Sequence, residues 1–178
     1  MQLELTRYRQ PLGHFARTFE PSEVQTEQQG DDAYRVVTPV ELAFDIHKDK
    51  DRFRLAGTAR AELELVCSRC LDSFRLPVGA TFDVRYHPAS EITADAESRD
   101  TERAVEEDDL DTSYYRDDQI DLNELLREQF YLALPMKPLC QEGCQGLCPH
   151  CGTNRNTGTC ACTVGWEDPR LAALKTLK

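Results

Sequence analysis

Eight cysteines, Cys67, Cys70, Cys140, Cys144, Cys148, Cys151, Cys160 and Cys162, carry the chemistry most visible in this chain. In Cys148-Pro149-His150-Cys151-Gly152 two thiolates three residues apart can share one tetrahedral ion across a tight turn. Gly152 can take a positive φ there, which lets backbone N–H groups approach the sulfurs. Cys160-Ala161-Cys162 follows beyond the turn-forming run Asn154-Arg155-Asn156-Thr157-Gly158. Residues two apart on an extended segment project to the same side. Cys148, Cys151, Cys160 and Cys162 are therefore expected to form one closed, structural zinc site. Cys67-Ser68-Arg69-Cys70 has the same knuckle spacing without the glycine, and Cys140 with Cys144 would complete a second set of four. That pairing closes a loop of about seventy residues. Partitions that mix the two sets stay open, as does a separate redox role for Cys67 and Cys70.

Other uses of sulfur fit less well. Cysteine reaches only about half of the fraction that marks a short disulfide scaffold, and a reducing cytosol argues against disulfides. A thioredoxin-like pair wants a strand-to-helix context with its first cysteine at a helix N-terminus, whereas both flanks of Cys67 and Cys70 read as strands. An iron–sulfur cluster also takes four cysteines, but two compact closed quartets suit zinc better. An open catalytic zinc is not expected, because every candidate ligand is sulfur. His14, His47, His87 and His150 read as ordinary surface residues. The chain has no Gly-rich phosphate loop, nucleophile elbow or H-E-x-x-H motif, so no enzyme activity and no small-molecule substrate are expected.

The elements that must position these cysteines can be read from the apolar pattern. Val40 to Ile46, Phe53 to Val66, and Phe74 to Tyr86 alternate apolar and polar residues, the mark of half-buried antiparallel strands. Lys48-Asp49-Lys50-Asp51 reads as a turn between the first two. Asp121 can cap a helix carrying Leu122, Leu125, Leu126 and Phe130 at helical spacing, with Glu124 placed as in a capping box and Pro135 as the stop. Residues 136–166 have almost no aliphatic content, so cysteines rather than a core must hold them. Asp168, Pro169 and the Leu171, Leu174, Leu177 stripe start a last helix. The first 33 residues are polar and give no clear pattern.

The fold class expected is α+β: an antiparallel meander, with room to close partly into a barrel, one or two helices, and a C-terminal cysteine-rich zinc module. Residues 1–134 form the β domain, with an acidic insert at 89–119 and a helix at 121–134. Residues 135–178 form the module, tied to the sheet through Cys67 and Cys70.

The 178 residues carry a net charge of -11, and residues 91–121 alone hold 13 acids against three bases. Outside that stretch the chain is nearly neutral. The balance argues against broad attachment to nucleic acid, which needs lysine and arginine to displace counterions. It suits a basic partner or a solvated loop. Arg69, Lys137, Arg155 and Arg170 lie around the cysteine modules and are the candidates for contact with RNA phosphate. No apolar run is long enough to span a membrane. The opening Met1-Gln2-Leu3-Glu4-Leu5-Thr6-Arg7 lacks the apolar region of a secretory signal, so a cytoplasmic protein without a membrane partner is expected.

Four strings in a fixed order make a more specific match. They are C-S-R-C-L-D-S-F after a long alternating strand, I-D-L-N-E-L-L-R-E-Q-F-Y-L-A-L-P, C-x-x-x-C-x-G-L-C-P-H-C-G-T-N-R-N, and the D-P-R-L-A-A-L-K-x-L tail. From about Val40 onward the chain resembles the YceD family, the large ribosomal RNA subunit accumulation proteins. The resemblance implies a non-enzymatic role in large ribosomal subunit biogenesis and in the accumulation of its RNA. The partners it implies are precursor RNA of the large subunit, a basic ribosomal protein, or both. Some relatives lack the last four cysteines, which implies two separable metal sites holding one or two zinc ions in all. The alternative is a cytosolic thiol redox or metal-handling protein using Cys67 and Cys70.

Overall fold

Period-2 alternation folds here into a long, twisted ladder. The computed structural model describes residues 1–8, 10–24, 34–90 and 112–162. In chain order these form β1 (Gln2–Glu4), a 3-10 turn (Leu5–Arg7), β2 (Leu12–Phe19), α1 (Pro21–Val24), β3 (Tyr34–Val36), β4 (Val40–Asp49), β5 (Arg52–Val66), β6 (Ser73–Pro88), β7 (Thr112–Tyr115), β8 (Gln119–Asp121) and α2 (Leu122–Ala133). The three alternating runs are β4, β5 and β6, which pair as an antiparallel meander. Lys50 takes φ 56 in the turn between β4 and β5.

The main sheet has the order β2-β4-β5-β6-β7, with β3 added to β5 beyond the reach of β4. One face carries Leu42, Phe44, Ile46, Phe53, Leu55, Leu63, Leu65 and Phe82, all buried. Gly57 lies opposite Phe44 on this face. A Cβ at Gly57 would stand 2.2 Å from the Ala43 carbonyl oxygen and 2.4 Å from Phe44 Cβ. The absent side chain is thus what lets Phe44 approach β5 and stack on Phe15, with ring centroids 4.8 Å apart.

Helix α2 closes the core. The Asp121 carboxylate accepts from the Asn123 N–H at 2.8 Å and caps it. Leu122, Leu125, Leu126 and Phe130 are buried, as their spacing predicts, and Tyr34 meets Phe130 edge-on at 6.2 Å.

Three expectations need correction. The sheet does not close into a barrel: its path ends at β2 and β7, and among the described residues no pairing joins those edges. It is also not wholly antiparallel, because β7 runs parallel to β6. The reason is the connection: chain leaving β6 and returning as β7 makes a crossover, not a hairpin. The acidic insert at 89–119 is too long at its C-terminal end. Residues 112–115 are strand, anchored by Tyr115, which is buried against Phe53 and donates its hydroxyl to the Asp51 carbonyl at 2.9 Å. Finally, the unassigned N-terminus supplies β1, paired with β8, and β2, paired with β4. Residues 91–111 and the expected helix beginning at Asp168 lie outside the described residues.

Candidate metal centres

The turn between β5 and β6 is the first knuckle. The Cys67 N–H donates to the Asp72 carbonyl at 2.9 Å, and the Leu71 N–H donates back to the Cys67 carbonyl at 3.0 Å. Leu71 takes φ 62 to complete the turn. Both sulfurs are thereby turned inward, and Cys67 and Cys70 are 0% and 2% exposed. Residues after α2 come to meet them. The Ser68 N–H donates to the Pro138 carbonyl at 2.9 Å, and Leu139 packs against the cluster. Cys67 Sγ lies 3.7 Å from Cys144 Sγ, and Cys70 Sγ lies 3.7 Å from Cys140 Sγ.

The second knuckle is built by a tight turn of its own. The Cys148 N–H donates to the Thr153 carbonyl at 2.8 Å, and the Gly152 N–H donates to the Cys148 carbonyl at 2.9 Å. Gly152 sits at φ 74, a conformation that costs glycine little. Cys160 and Cys162 bring their sulfurs to Cys148 and Cys151. Within each quartet all four sulfurs lie within 4.8 Å of one another, and among the described residues these are the two groups that could hold a metal ion.

The donor set fits a tetrahedral thiophilic cation. Four sulfurs about 2.3 Å from a central ion stand roughly 3.8 Å apart along a tetrahedron edge, close to the 3.7 Å contacts in the first quartet. The electrostatics of the sulfurs point the same way. Burial acts to raise the Cys67 thiol, but backbone N–H groups of Cys70, Cys140 and Arg69 outweigh it and bring it down to about 6. Backbone N–H groups of Cys151 and His150 bring Cys148 down to about 5. Cys162 is pushed up to about 12, first by Cys151 and then by burial. Cys70 goes up to about 12: the Asp72 N–H lowers it, but burial and the neighbouring thiols prevail. In each knuckle the first sulfur is held ready as thiolate, and in the second Thr153 lowers Cys151 as well, while Cys70, Cys140, Cys160 and Cys162 resist further negative charge. A bound divalent cation relieves that repulsion, since metal ligation requires thiolates.

The quartets are joined by residues that motif spacing alone passes over. The Asn156 side-chain amide donates to Cys144 Sγ at 3.3 Å, and its Oδ1 accepts from the Gln145 N–H at 2.8 Å. Asn154 Nδ2 donates to Asp72 Oδ2 at 2.5 Å. Both asparagines stand in the loop between the halves of the second quartet, yet they hold the first. Gly146 at φ 71 passes close to Arg69: a Cβ there would lie 3.0 Å from the Arg69 carbonyl oxygen. That carbonyl accepts from the Leu147 N–H at 3.1 Å. The signal in the sequence was the G-L-C and T-N-R-N letters within the third string. Their roles depend on contacts across some 80 residues, such as the Asn154–Asp72 pair, and cannot be read from local pattern.

The RNA candidates scatter. Arg69 is exposed but spends one guanidinium N–H on the Cys144 carbonyl at 2.8 Å. Lys137 is exposed. Arg155 is partly buried and gives its backbone N–H to the Gly146 carbonyl. Arg170 lies outside the described residues. Among the described residues, no helix is long and apolar enough to cross a membrane.

With this geometry in hand, comparison with known proteins is informative. A family profile described as "Large ribosomal RNA subunit accumulation protein YceD" matches residues 55–178. The chain is 27% identical to a Zea mays protein named large ribosomal RNA subunit accumulation protein YCED homolog 1, chloroplastic, over 71% of this chain and 48% of that protein. Against the Arabidopsis thaliana protein of the same name it is 26% identical, over 79% of this chain and 49% of the relative. An uncharacterized protein of Mycobacterium tuberculosis (strain ATCC 25618 / H37Rv) is 33% identical, over 64% of this chain and 50% of its own length. The chain thus spans about half the length of the curated relatives it matches. No solved structure matches it.

Proposed function

The chain belongs to the YceD family, and from that premise we propose that it is a non-enzymatic factor for the large ribosomal subunit, needed for its RNA to accumulate. The plant relatives carry that role in their names. The structural observation that best supports a non-catalytic reading is the pair of closed sulfur quartets. Each offers four protein ligands, which leaves no open coordination position for a substrate.

Zinc is the ion we assign to both sites: one held by Cys67, Cys70, Cys140 and Cys144, the other by Cys148, Cys151, Cys160 and Cys162. When bound, it supplies the folding free energy that residues 136–162 cannot draw from apolar burial. The residues themselves then do the positioning. They fix the loop bearing Arg155 against the knuckle bearing Arg69, and they set Lys137 between α2 and the first quartet. The partners are large-subunit precursor RNA, a basic ribosomal protein, or both, and the cytoplasm is the compartment. A redox role for Cys67 and Cys70 has less support, because Cys67 is fully buried and two further sulfurs adjoin the pair.

Depletion of the protein in its own cells, followed by sucrose-gradient profiles and quantification of both ribosomal RNAs, tests this reading. Selective loss of the large subunit and its RNA is expected, with rescue by the parent gene. Unchanged ratios of the two RNAs would sink it.

A further inference from the structure

Strand β6 is paired along nearly its full length on one side only. Toward β5 the register runs without a bulge from Ser73 to Tyr86. On the far side β7 covers Arg85 to Pro88, and among the described residues no strand pairs with the edge from Ser73 to Val84.

The direction of the backbone groups on that edge follows from β5. The Glu62 N–H donates to Thr38 Oγ1 at 2.8 Å, and the Glu62 carbonyl accepts from the Val37 N–H at 3.0 Å. Both groups therefore point away from β6. Glu62 lies opposite Pro77, so this is a non-hydrogen-bonded pair, in which the partner's groups also point outward. The pattern repeats every second residue. Gly79, Thr81 and Asp83 thus each turn an N–H and a C=O to the open edge. Two details agree with this phase. Pro77 has no N–H and occupies a position where the ladder uses none. Ala89, of the same parity, sends its N–H to the Tyr115 carbonyl on the β7 side at 2.9 Å.

The edge is one wall of a groove of about 420 Å³, lined by Gly79 to Val84 and, across from them, Gln129, Leu132 and Ala133 of α2. Leu132 is 79% exposed. Further along, Glu128, Glu124 and Asp121 all act on Tyr86 of β6. Glu124, Glu128 and Leu132 follow one another at four-residue spacing and share one stripe of the helix. Burial and then Glu124 push the Glu128 carboxyl up, with Arg127 opposing. Asp83, by contrast, is already matched by Arg54, which bonds both of its oxygens.

We infer that this groove receives an extended, lysine- or arginine-bearing segment of a partner protein, which adds as a strand to Gly79, Thr81 and Asp83 and lays its cationic side chains along Glu124 and Glu128. Main-chain bonds to a free edge give such segments affinity, and alternate side chains give selectivity. Half the side chains of the added strand face α2, so basic residues at every second position match the acidic stripe. A second copy of this chain is a poorer occupant, because edge-to-edge pairing would bring two acidic stripes together on molecules of net charge -11. Residues 91–111 carry ten acids against two bases and would be repelled as well. The inference is independent of the ribosomal reading.

The test uses the full chain and a fluorescein-labelled octapeptide of alternating lysine and valine. Anisotropy should report saturable binding, and hydrogen exchange should slow at the Gly79, Thr81 and Asp83 amides when the peptide is bound. Thr81→Pro, which removes an outward N–H, and the double variant Glu124→Lys/Glu128→Lys should each weaken binding by about tenfold or more. The same loss is expected for a glutamate–valine octapeptide, or for one N-methylated at alternate residues. Because the double variant changes only exposed helix positions, it keeps the test decisive if Thr81→Pro misfolds. Absence of binding, binding that leaves the three amides unprotected, or undiminished binding by the charge-reversed variant would overturn the inference. Protection of these amides in the free chain would overturn it too: independent of concentration, it assigns the groove to the chain's own segment; rising with concentration, it assigns it to a second copy.

Discussion

Asn156 reaches out of the loop of one sulfur quartet to give its side-chain amide to Cys144 Sγ of the other, 3.3 Å away. The same amide group donates to Asn154 Oδ1 at 2.9 Å, and the Asn156 oxygen holds the Gln145 N–H. One side chain thereby fixes the orientation of a ligand it does not adjoin in sequence. Partners that hydrogen-bond to metal ligands orient those ligands and thereby tune metal affinity.

Replacing Asn156 with Ala should therefore weaken zinc retention at the first quartet by about 10- to 100-fold. It should also destabilise the fold by roughly 0.5–1.5 kcal/mol through loss of the solvent-exposed Gln145 hydrogen bond. Competition with a chromophoric chelator, comparing variant with parent, measures the first effect. Retention equal to that of the parent would mean that Asn156 only shapes its own loop.

Protein purified without added metal should contain about two zinc ions per chain by elemental analysis. Cys148→Ser should remove one ion and raise hydrogen exchange mainly across 144–162. Cys67→Ser should remove the other and spread exchange into β5 and β6, since that quartet joins the sheet to the residues after α2. Equal and local effects from the two variants would contradict the joining role, and metal-free protein would remove both sites.

Much of this arrangement is legible in the letters. The alternation over β4, β5 and β6 and the stripe of Leu122, Leu125, Leu126 and Phe130 each arise from local periodicity against one core. Cys148, Cys151 and Gly152 announce a knuckle because the ligand geometry is local too. What lies beyond reading is what distant chain decides. β2 hides because Gly13, His14 and Arg17 break its pattern, and it forms as an edge strand on β4. β7 hides behind a run of acids, held by the single buried Tyr115. Neither Asn154 nor Asn156 advertises a link to Asp72 or Cys144, because nothing in a turn sequence names its remote partner.

Gly57→Ala should be among the most damaging single-methyl changes in the sheet. The added carbon has no room between the Ala43 carbonyl and Phe44, so the β4–β5 ladder must shift or Phe44 must leave its rotamer. A loss of about 3 kcal/mol is expected, read as a lower urea midpoint at unchanged slope. Gly79→Ala is the control, because its nearest neighbour would be 3.9 Å away; similar losses from both would discredit the steric account.

Glu128 gives a pH-dependent prediction. Its carboxyl is raised by burial and by Glu124, so the folded chain keeps this proton to higher pH than the unfolded one does. Stability is then lost as pH rises from the unfolded pKa through the folded one, and the penalty is fully present at neutral pH. Glu128→Gln should stabilise the protein at pH 7 by on the order of a few tenths of a kcal/mol, the carboxyl being largely solvated. The gain should vanish near pH 3.5. Melting variant and parent side by side at each pH cancels metal loss common to both, and a gain that persists in acid would refute the assignment.

Cys67 and Cys144 stand 77 residues apart in the chain, and that separation has a temporal meaning. A polypeptide made at about 5–20 residues per second needs roughly 4–15 seconds to pass from one to the other. Throughout that interval the nascent protein carries Cys67 and Cys70 as an unsheltered dithiol, although the finished fold seals them to 0% and 2% exposure. An oxidant or a competing soft metal thus has its window during birth, and closes out of reach once Cys140 and Cys144 arrive. For this pair of sulfurs, exposure to copper, cadmium or peroxide is thus tied to the rate of synthesis, and slowing translation between residues 67 and 144 should lengthen it.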